Sequence, residues 1–429
     1  MKVAVIGGAG VRTPLLVNGL TQSDLPIEEI GLFDIDQQRL SVIAPLAASF
    51  SPVARPYDDA RACVAGASFV VLSIRVGGIA ARARDESVAM VHDIVGQETV
   101  GPGGFAMAMR ACPPVVDYAR LVEREAPRAW VINFTNPVGI VTQAMTAASK
   151  ARVIGICDTP TELFEDVAHL LGLESSRCFF DYFGLNHLGW LREVYYEGEP
   201  QLGRLWQRPE LLARVYRAPL FDTALLQSLR MLPTEYLFYY YSSRAALENI
   251  RKAGRTRGRA IAELNDQLFH ELSVEGADPQ QVYRRYLQAR NAGYMQIESG
   301  ATAPIERASW CDLTGYDKIA LSVVGAIYSN SNAIIPLNVP NGGALRDLDD
   351  ADIVELPCVV NANGARPLNA GRVPPDVRDL VVRVKEYERL TVRAAASRSD
   401  DHAAHALARN PLVGERGLAR RLVAALQPW

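Results

Sequence analysis

Two residues in this chain have side chains suited to a borderline divalent metal. Cys157 directly follows the apolar run Val153–Ile156, and His187 sits in the glycine-flanked segment Gly184-Leu185-Asn186-His187-Leu188-Gly189. Thiolate and imidazole together favour an ion such as Mn, Fe, Co, Ni or Zn and leave coordination positions for substrate oxygens. On spacing alone this pair is a weak signal, because buried cysteine and histidine are also ordinary structural residues. A second feature is the tyrosine cluster Tyr236, Tyr239, Tyr240 and Tyr241. A tyrosine can act as a base when a nearby cation lowers its pKa, although most of such a cluster is expected to pack in a core. Arg257 and Arg259 follow and could reach an anion, with a solvated helix face explaining Arg259 equally well.

Positioning these groups is the task of a strand–turn–helix pattern at the start of the chain. Val3–Ile6 reads as a buried strand, Gly7, Gly8 and Gly10 as a tight turn, and Thr13-Pro14-Leu15-Leu16-Val17 as the opening of a helix. That order sets a helix N-terminus against a pyrophosphate, although Gly8-x-Gly10-x-x-Thr13 lacks the third glycine of the usual dinucleotide fingerprint. The next strand, Ile30–Phe33, delivers Asp34. A carboxylate there accepts hydrogen bonds from ribose hydroxyls and repels a 2′-phosphate, which favours NAD over NADP. Phe69–Ile74 runs into Arg75-Val76-Gly77-Gly78, and Ala129–Asn133 into Phe134-Thr135-Asn136-Pro137. Both turns belong at the carboxyl ends of parallel strands, where a doubly wound sheet binds its ligand. Arg82, Arg84, Asp85 and Glu86 come next to the first of these turns, and a solvated helix face is the expectation for Arg84 and Asp85. The glycine-dense stretch from Gly96 to Phe105, with Gln97 and Glu98, suggests a loop wrapped around a ligand.

The expected architecture is therefore α/β. A Rossmann-like, doubly wound parallel sheet of five strands occupies residues 1–160, and a C-terminal α+β catalytic domain, resembling that of lactate and malate dehydrogenases, occupies 161–429. The second segment carries substrate-binding and oligomerisation surfaces. Helices are expected near 37–50, 115–125, 204–217, 225–230, 256–272, 313–327 and 378–394. With 49% hydrophobic and 22% charged residues and a net charge of −3, the chain suits a soluble protein with no affinity for nucleic acid or membrane. No signal peptide is read, and six cysteines without pairing rhythm suggest reduced thiols in the cytoplasm.

In combination these segments resemble the family 4 glycoside hydrolases, the NAD- and divalent-metal-dependent glycosidases. The matching motifs are Ile6–Gly10 with Thr13-Pro14, Gly96–Phe105, Asn133–Pro137, Cys157-Asp158-x-Pro160, Gly184–His187, Tyr236-Leu237 with the tyrosines after it, and Asn338–Gly343. The first half looks most like the 6-phospho-β-glucosidase branch. The resemblance implies a route outside the two-carboxylate scheme. NAD removes hydride from C3 of the sugar, a tyrosinate takes the acidified C2 proton, the C1–oxygen bond breaks by elimination, and water addition with return of the hydride completes hydrolysis. By the same resemblance Cys157 and His187 hold the metal, with Mn the first candidate. Tyr236 is the base, and Gln97, Glu98, Asn136 and Asn186 contact the substrate. Arg82 and Arg257 bind a 6-phosphate. Asp158 departs from the β branch, which has Asn after the cysteine, and resembles the general acid of the 6-phospho-α-glucosidases. The expected partner is a small glycoside, the expected assembly a homodimer or homotetramer. Residues 294–312 look like an insertion on the leaving-group side. The competing readings are a 6-phospho-α-glucosidase or unphosphorylated-glycoside hydrolase of the same family, a lactate- or malate-type dehydrogenase, and an NAD-binding protein without turnover.

Overall fold

The computed structural model describes residues 1–216, 218, 220–301 and 315–429. The first apolar run forms β1 (Lys2–Ile6), with Val3 to Ile6 all buried. Its alternate residues belong to two different cores. Val3 and Val5 pack with Leu16, Val17 and Val323 on one face, while Ala4 and Ile6 pack with Ala111, Val115 and Met145 on the other. A strand buried on both faces reads as a continuous apolar run, which is why periodicity alone located it. Each Val or Ile so enclosed contributes about 1.5–3 kcal/mol.

β1 pairs in parallel with β2 (Glu29–Phe33) and with β4 (Phe69–Leu72). β3 (Ala54–Tyr57), β5 (Trp130–Asn133) and β6 (Arg152–Gly155) extend the parallel sheet, giving the order β3-β2-β1-β4-β5-β6. That is the doubly wound order with its switch point between β1 and β4. The first 160 residues thus supply six strands where five were expected. β3, Ala-Arg-Pro-Tyr, has no apolar run to announce it, and Pro56 is tolerated because the strand lies at the sheet edge.

The remaining strands lie beyond residue 160. β7 (Cys178–Leu185) and β8 (Leu188–Tyr196) form a hairpin, flanked by β9 (Glu199–Pro200) and β10 (Leu232–Pro233) in a separate antiparallel sheet. β11 (Ala333–Pro340), β12 (Ile353–Asn361) and β13 (Gly364–Pro367) return to the first sheet. They add antiparallel strands outside β6, where Asn338 faces Gly155. Among the described residues the sheet therefore has nine strands, three of them from the later segment.

Two helical expectations change. The glycine-dense stretch opens a single helix, Gly101–Glu125, with Pro113 and Pro114 inside it, so the helix begins well before Val115. The prolines masked its continuity in the sequence. The helix expected over 204–217 is two short pieces, Gly203–Trp206 and Pro209–Leu212. Of the expected insertion at 294–312, residues 302–312 lie outside the described residues, as does Leu313, the expected start of the helix observed over Gly315–Ser329. Among the described residues, Cys63, Cys112, Cys157, Cys178 and Cys358 are free thiols, and no helix is long and apolar enough to cross a membrane.

Candidate active site

The carboxyl ends of β1, β2 and β4 to β6 open onto a cavity of about 550 Å³. Gly7, Gly10, Thr13, Asp34, Arg75 and Arg82 line it, as do Gln97, Glu98, Asn136, Cys157, Asp158, His187, Tyr236 and Arg257. Of the residues assigned a cofactor, metal, substrate or catalytic role in the sequence, Gly8 and Asn186 stand outside this lining, as do Tyr240, Tyr241 and Arg259 among the further candidates. Gly8 donates its N–H to the Phe33 carbonyl at 2.8 Å, and Asn186 donates through its side-chain amide to Glu355 Oε1 at 3.3 Å.

At one end the chain turns sharply from β1 into the helix Thr13–Gln22. Gly7 has φ of +95°, and a Cβ there would lie 2.1 Å from the Ser73 carbonyl oxygen, so no other residue fits. Asp34 is anchored beside this turn. Its Oδ2 accepts from Ala9 N at 3.1 Å and its Oδ1 from Asp36 N at 3.0 Å. Each oxygen keeps a lone pair for a further donor such as a ribose hydroxyl.

His187, also in the cavity lining, occupies the tip of the β7–β8 hairpin with φ of +60°. A non-glycine residue in this left-handed region is uncommon and marks a turn held by its surroundings. The imidazole is buried and stacks on the ring of Tyr236, with centroids 3.7 Å apart. Its Nδ1 lies 2.9 Å from Thr99 Oγ1. Burial lowers its pKa to about 4, with Asp158 and Glu98 opposing, so the ring is neutral and able to ligate. Burial, then Glu355 and Asp158, push the Cys157 thiol well above its ordinary range. A divalent cation reverses that push, since it deprotonates a coordinating thiol outright. Asn136 Oδ1 is buried without a hydrogen-bond partner. Soft and borderline donors lining one cavity, with an orphaned oxygen in the same lining, fit a divalent ion that takes its remaining ligands from substrate or water. Among the described residues no third Cys, His, Asp or Glu completes a closed metal site.

Tyr236 is expected to act as a base only with a cation beside it, and the protein's own groups push its pKa the other way. Burial, followed by the Glu235 and Glu98 carboxylates, raises it well above the ordinary tyrosine range, and a hydrogen bond from Tyr294 pulls the other way. The surrounding side chains thus hold the phenol protonated, and ionising it calls for an added positive charge.

A chain of ion pairs borders the cavity, with Arg75, Arg82 and Glu98 in its lining. Glu98 Oε2 forms ion pairs with Arg75 at 2.7 Å and with Arg82 at 2.9 Å. Arg82 Nε donates to Glu86 Oε1 at 2.8 Å, and Glu86 Oε2 accepts from Gly258 N at 2.6 Å, at the start of the helix Arg257–Leu272. A carboxylate is favoured at that end of a helix. The solvated-face reading fails for Asp85, which is 2% exposed and paired with Arg110; Arg84 is exposed as expected. Inward-facing acids so close to arginines on one helix are invisible to composition, because the same residues at the same spacing also make a solvated face. Gln97 Oε1 accepts from Thr99 N at 2.6 Å and Val100 N at 2.8 Å, closing the turn before the long helix. The glycines of this stretch serve close packing: a Cβ on Gly103 would sit 2.2 Å from the Gln97 carbonyl oxygen. Arg257 donates through one terminal nitrogen to the Arg290 carbonyl at 2.7 Å. Arg290, Tyr294 and Glu298 also line the cavity and were not singled out in the sequence. Neither was Glu355, a fully buried acid accepting from Tyr182, Asn186 and Asn338.

Asp158 is 30% exposed, and an oxygen of its carboxylate lies 3.9 Å from Arg12.

Comparison with known proteins agrees along nearly the whole chain. A 6-phospho-β-glucosidase described as probable, from Bacillus subtilis, is 30% identical over 440 residues, covering 99% of this chain and 95% of the relative. A solved structure of the Thermotoga maritima 6-phospho-β-glucosidase with manganese, NAD+ and glucose-6-phosphate superposes with a TM-score of 0.84 at 26% identity, covering 99% and 97% of the two chains. A 6-phospho-α-glucosidase from gut microorganisms, solved with NAD and Mn2+, gives 0.81 at 25% identity with the same coverage. A lactate dehydrogenase from a deep-sea metagenome shares the fold at a TM-score of 0.53 and 16% identity, covering 92% of this chain and 98% of that one. The family models for the family 4 glycosyl hydrolase and for its C-terminal domain match residues 2–173 and 182–413 respectively, and the chain belongs to this family.

Proposed function

We propose that this glycosidase cleaves O-glycosidic bonds of 6-phosphorylated glucosides, with the β-anomer preferred, by reversible oxidation at C3. The observation that carries the reading is the gathering of Asp34, Asn136, Cys157, His187, Tyr236 and Arg257 around one cavity at the switch point of the sheet. When bound, NAD supplies reversible removal of hydride from C3, and a divalent cation such as Mn supplies the positive charge that stabilises the oxyanion formed on deprotonation at C2. Cys157 and His187 would hold the cation, and the glycine turn with Asp34 would hold NAD.

The protein's own groups divide the remaining work. Asp34 accepts ribose hydroxyls while its backbone anchors keep it in place. Asn136, with an unpartnered Oδ1, accepts from a sugar hydroxyl. Tyr236 takes the C2 proton at its phenolic oxygen. Arg82 has Nε and one terminal nitrogen occupied by Glu86 and Glu98, so Arg257 is the better placed of the two nominated arginines to meet a phosphate. Gln97 and Glu98 act on substrate through the groups they position. The assembly is proposed to be a homodimer or homotetramer.

One feature favours a second reading within the family. Asp158 directly follows Cys157 and lines the same cavity, which supports a role for its carboxyl group in protonating the leaving group of an α-glucoside. The test is hydrolysis of aryl α- and β-glucosides, with and without 6-phosphate, in the presence and absence of NAD and Mn. The reading expects turnover of the 6-phospho-β-glucoside that requires both additions and produces no net NADH. Turnover without NAD, or steady NADH accumulation, would overturn it.

A further inference from the structure

Thr99 lies in the turn before the helix Gly101–Glu125, in contact with two side chains. Its hydroxyl oxygen is 2.9 Å from Gln97 Oε1 and 2.9 Å from His187 Nδ1. The direction of these bonds follows from the proton count. Gln97 Oε1 receives the backbone N–H groups of Thr99 and Val100 at 2.6 and 2.8 Å. Those groups can only donate, so the atom they meet is the amide's carbonyl oxygen. Two oxygens at hydrogen-bond distance need a proton between them, and here Thr99 alone can supply it. A hydroxyl has one proton to give. With that proton directed at Gln97, the contact to His187 requires the ring to donate.

We infer that Thr99, held by Gln97, is a positioning residue that fixes His187 as its Nδ1–H tautomer and leaves Nε2 bare for the metal. The inference rests on the reading of His187 as a metal ligand and adds what selects and orients the ligating nitrogen. A histidine that ligates through one nitrogen ordinarily donates its other N–H to a fixed acceptor, which sets the ring's orientation and raises the basicity of the ligating atom. Here the acceptor is a hydroxyl polarised by an amide carbonyl. The turn that carries it is packed against Gly103 closely enough to exclude a Cβ. The ring is thus gripped at its edge by Thr99 and on its face by Tyr236, whose plane lies within 2° of its own.

The tautomer can be read without metal or turnover. The chain has six histidines, so the full-length protein is labelled with 15N-histidine and freed of metal by chelation. Long-range proton–nitrogen correlation then assigns His187 by its loss in His187→Gln. A protonated Nδ1 with a bare Nε2 is expected. Thr99→Val removes the acceptor and is expected to shift the ring toward Nε2–H and to weaken Mn binding, read by electron paramagnetic resonance of free Mn, by roughly 10- to 100-fold. Thr99→Ser is expected to restore both. A protonated Nε2 in the unsubstituted protein, or a Thr99→Val protein with unchanged tautomer and Mn affinity, would overturn the inference. An unsubstituted protein with protonated Nδ1 that fails to bind Mn would overturn the metal reading while supporting the hydrogen-bond chain.

Discussion

The ring of Tyr236 lies flat on the imidazole of His187, with centroids 3.7 Å apart and planes 2° from parallel. The proposed base and the proposed metal ligand therefore share one rigid unit, and a charge gained by one is felt by the other. Tyr236→Phe keeps the stacked ring and removes only the hydroxyl. We expect kcat to fall roughly 10²- to 10⁴-fold, the range typical for loss of a general base, with Mn affinity preserved. Deuterium uptake at C2 of the sugar during turnover in D2O should fall in parallel. A phenylalanine variant with near-normal kcat would remove Tyr236 from the role.

Glu86 joins the arginine wall to the helix Arg257–Leu272. It is fully buried, meets Arg82 with one oxygen and the Gly258 N–H with the other. Glu86→Ala leaves Arg82 with Glu98 alone and strands a buried N–H. Breaking such a buried pair costs about 3–5 kcal/mol. Glu86→Gln retains an acceptor for Gly258 and should lose less. Urea unfolding of both variants checks this ordering; an alanine variant as stable as the unsubstituted chain would contradict it.

How far the sequence carried depended on the kind of signal. β1, with its glycine turn and Asp34, was legible because a doubly buried parallel strand is a bare apolar run, and its turn needs glycine. Cys157 and Asn136 were placed by their position after strands, and His187 by its glycine-flanked setting. The roles of Glu86, Glu98 and Thr99 were hidden, because an inward acid and a solvated one look alike until a partner arrives from a distant segment, as Gly258 does for Glu86. The nine-stranded sheet was only partly visible for the same reason. β11 contains Pro336 and Asn338 and joins β6 through a contact set by the fold.

Glu355 makes stability depend on pH. It is 1% exposed, and its pKa rises to about 7 mainly through burial, with Asp158 adding to the push while Tyr182, Asn338 and Asn186 oppose it through hydrogen bonds. A carboxyl whose folded pKa exceeds its unfolded value binds more protons when folded, so its contribution is full below the unfolded value near 4.5 and is lost as pH rises through about 7. The shift corresponds to about 3 kcal/mol. His187 works oppositely: lowered to about 4, it favours the folded chain increasingly as pH rises toward 6.5. The two are separated by comparing the unsubstituted chain with Glu355→Gln in urea unfolding at several pH values. The difference in their stabilities should move in favour of the glutamine variant as pH climbs from 4.5 to 7; a constant difference would rule out titration of Glu355 in that window.

Arg257 provides the sharpest test of a phosphate at C6. Burial, reinforced by the positive charges of Arg290 and Arg82 and opposed by Glu298, brings its pKa down to about 10. It stays charged at neutral pH, and an anion arriving beside it would relieve the crowding of like charges. A charge-assisted hydrogen bond contributes about 1.5–3 kcal/mol, or roughly 10- to 150-fold in binding. Arg257→Ala should therefore raise KM for an aryl 6-phosphoglucoside by that factor and leave kcat/KM for the unphosphorylated glucoside nearly unchanged. Arg257→Lys should recover only part of the loss, because a point charge replaces a planar fork. Equal losses on both substrates would mean that Arg257, through its bond to the Arg290 carbonyl, supports the wall of the cavity and does not recognise phosphate.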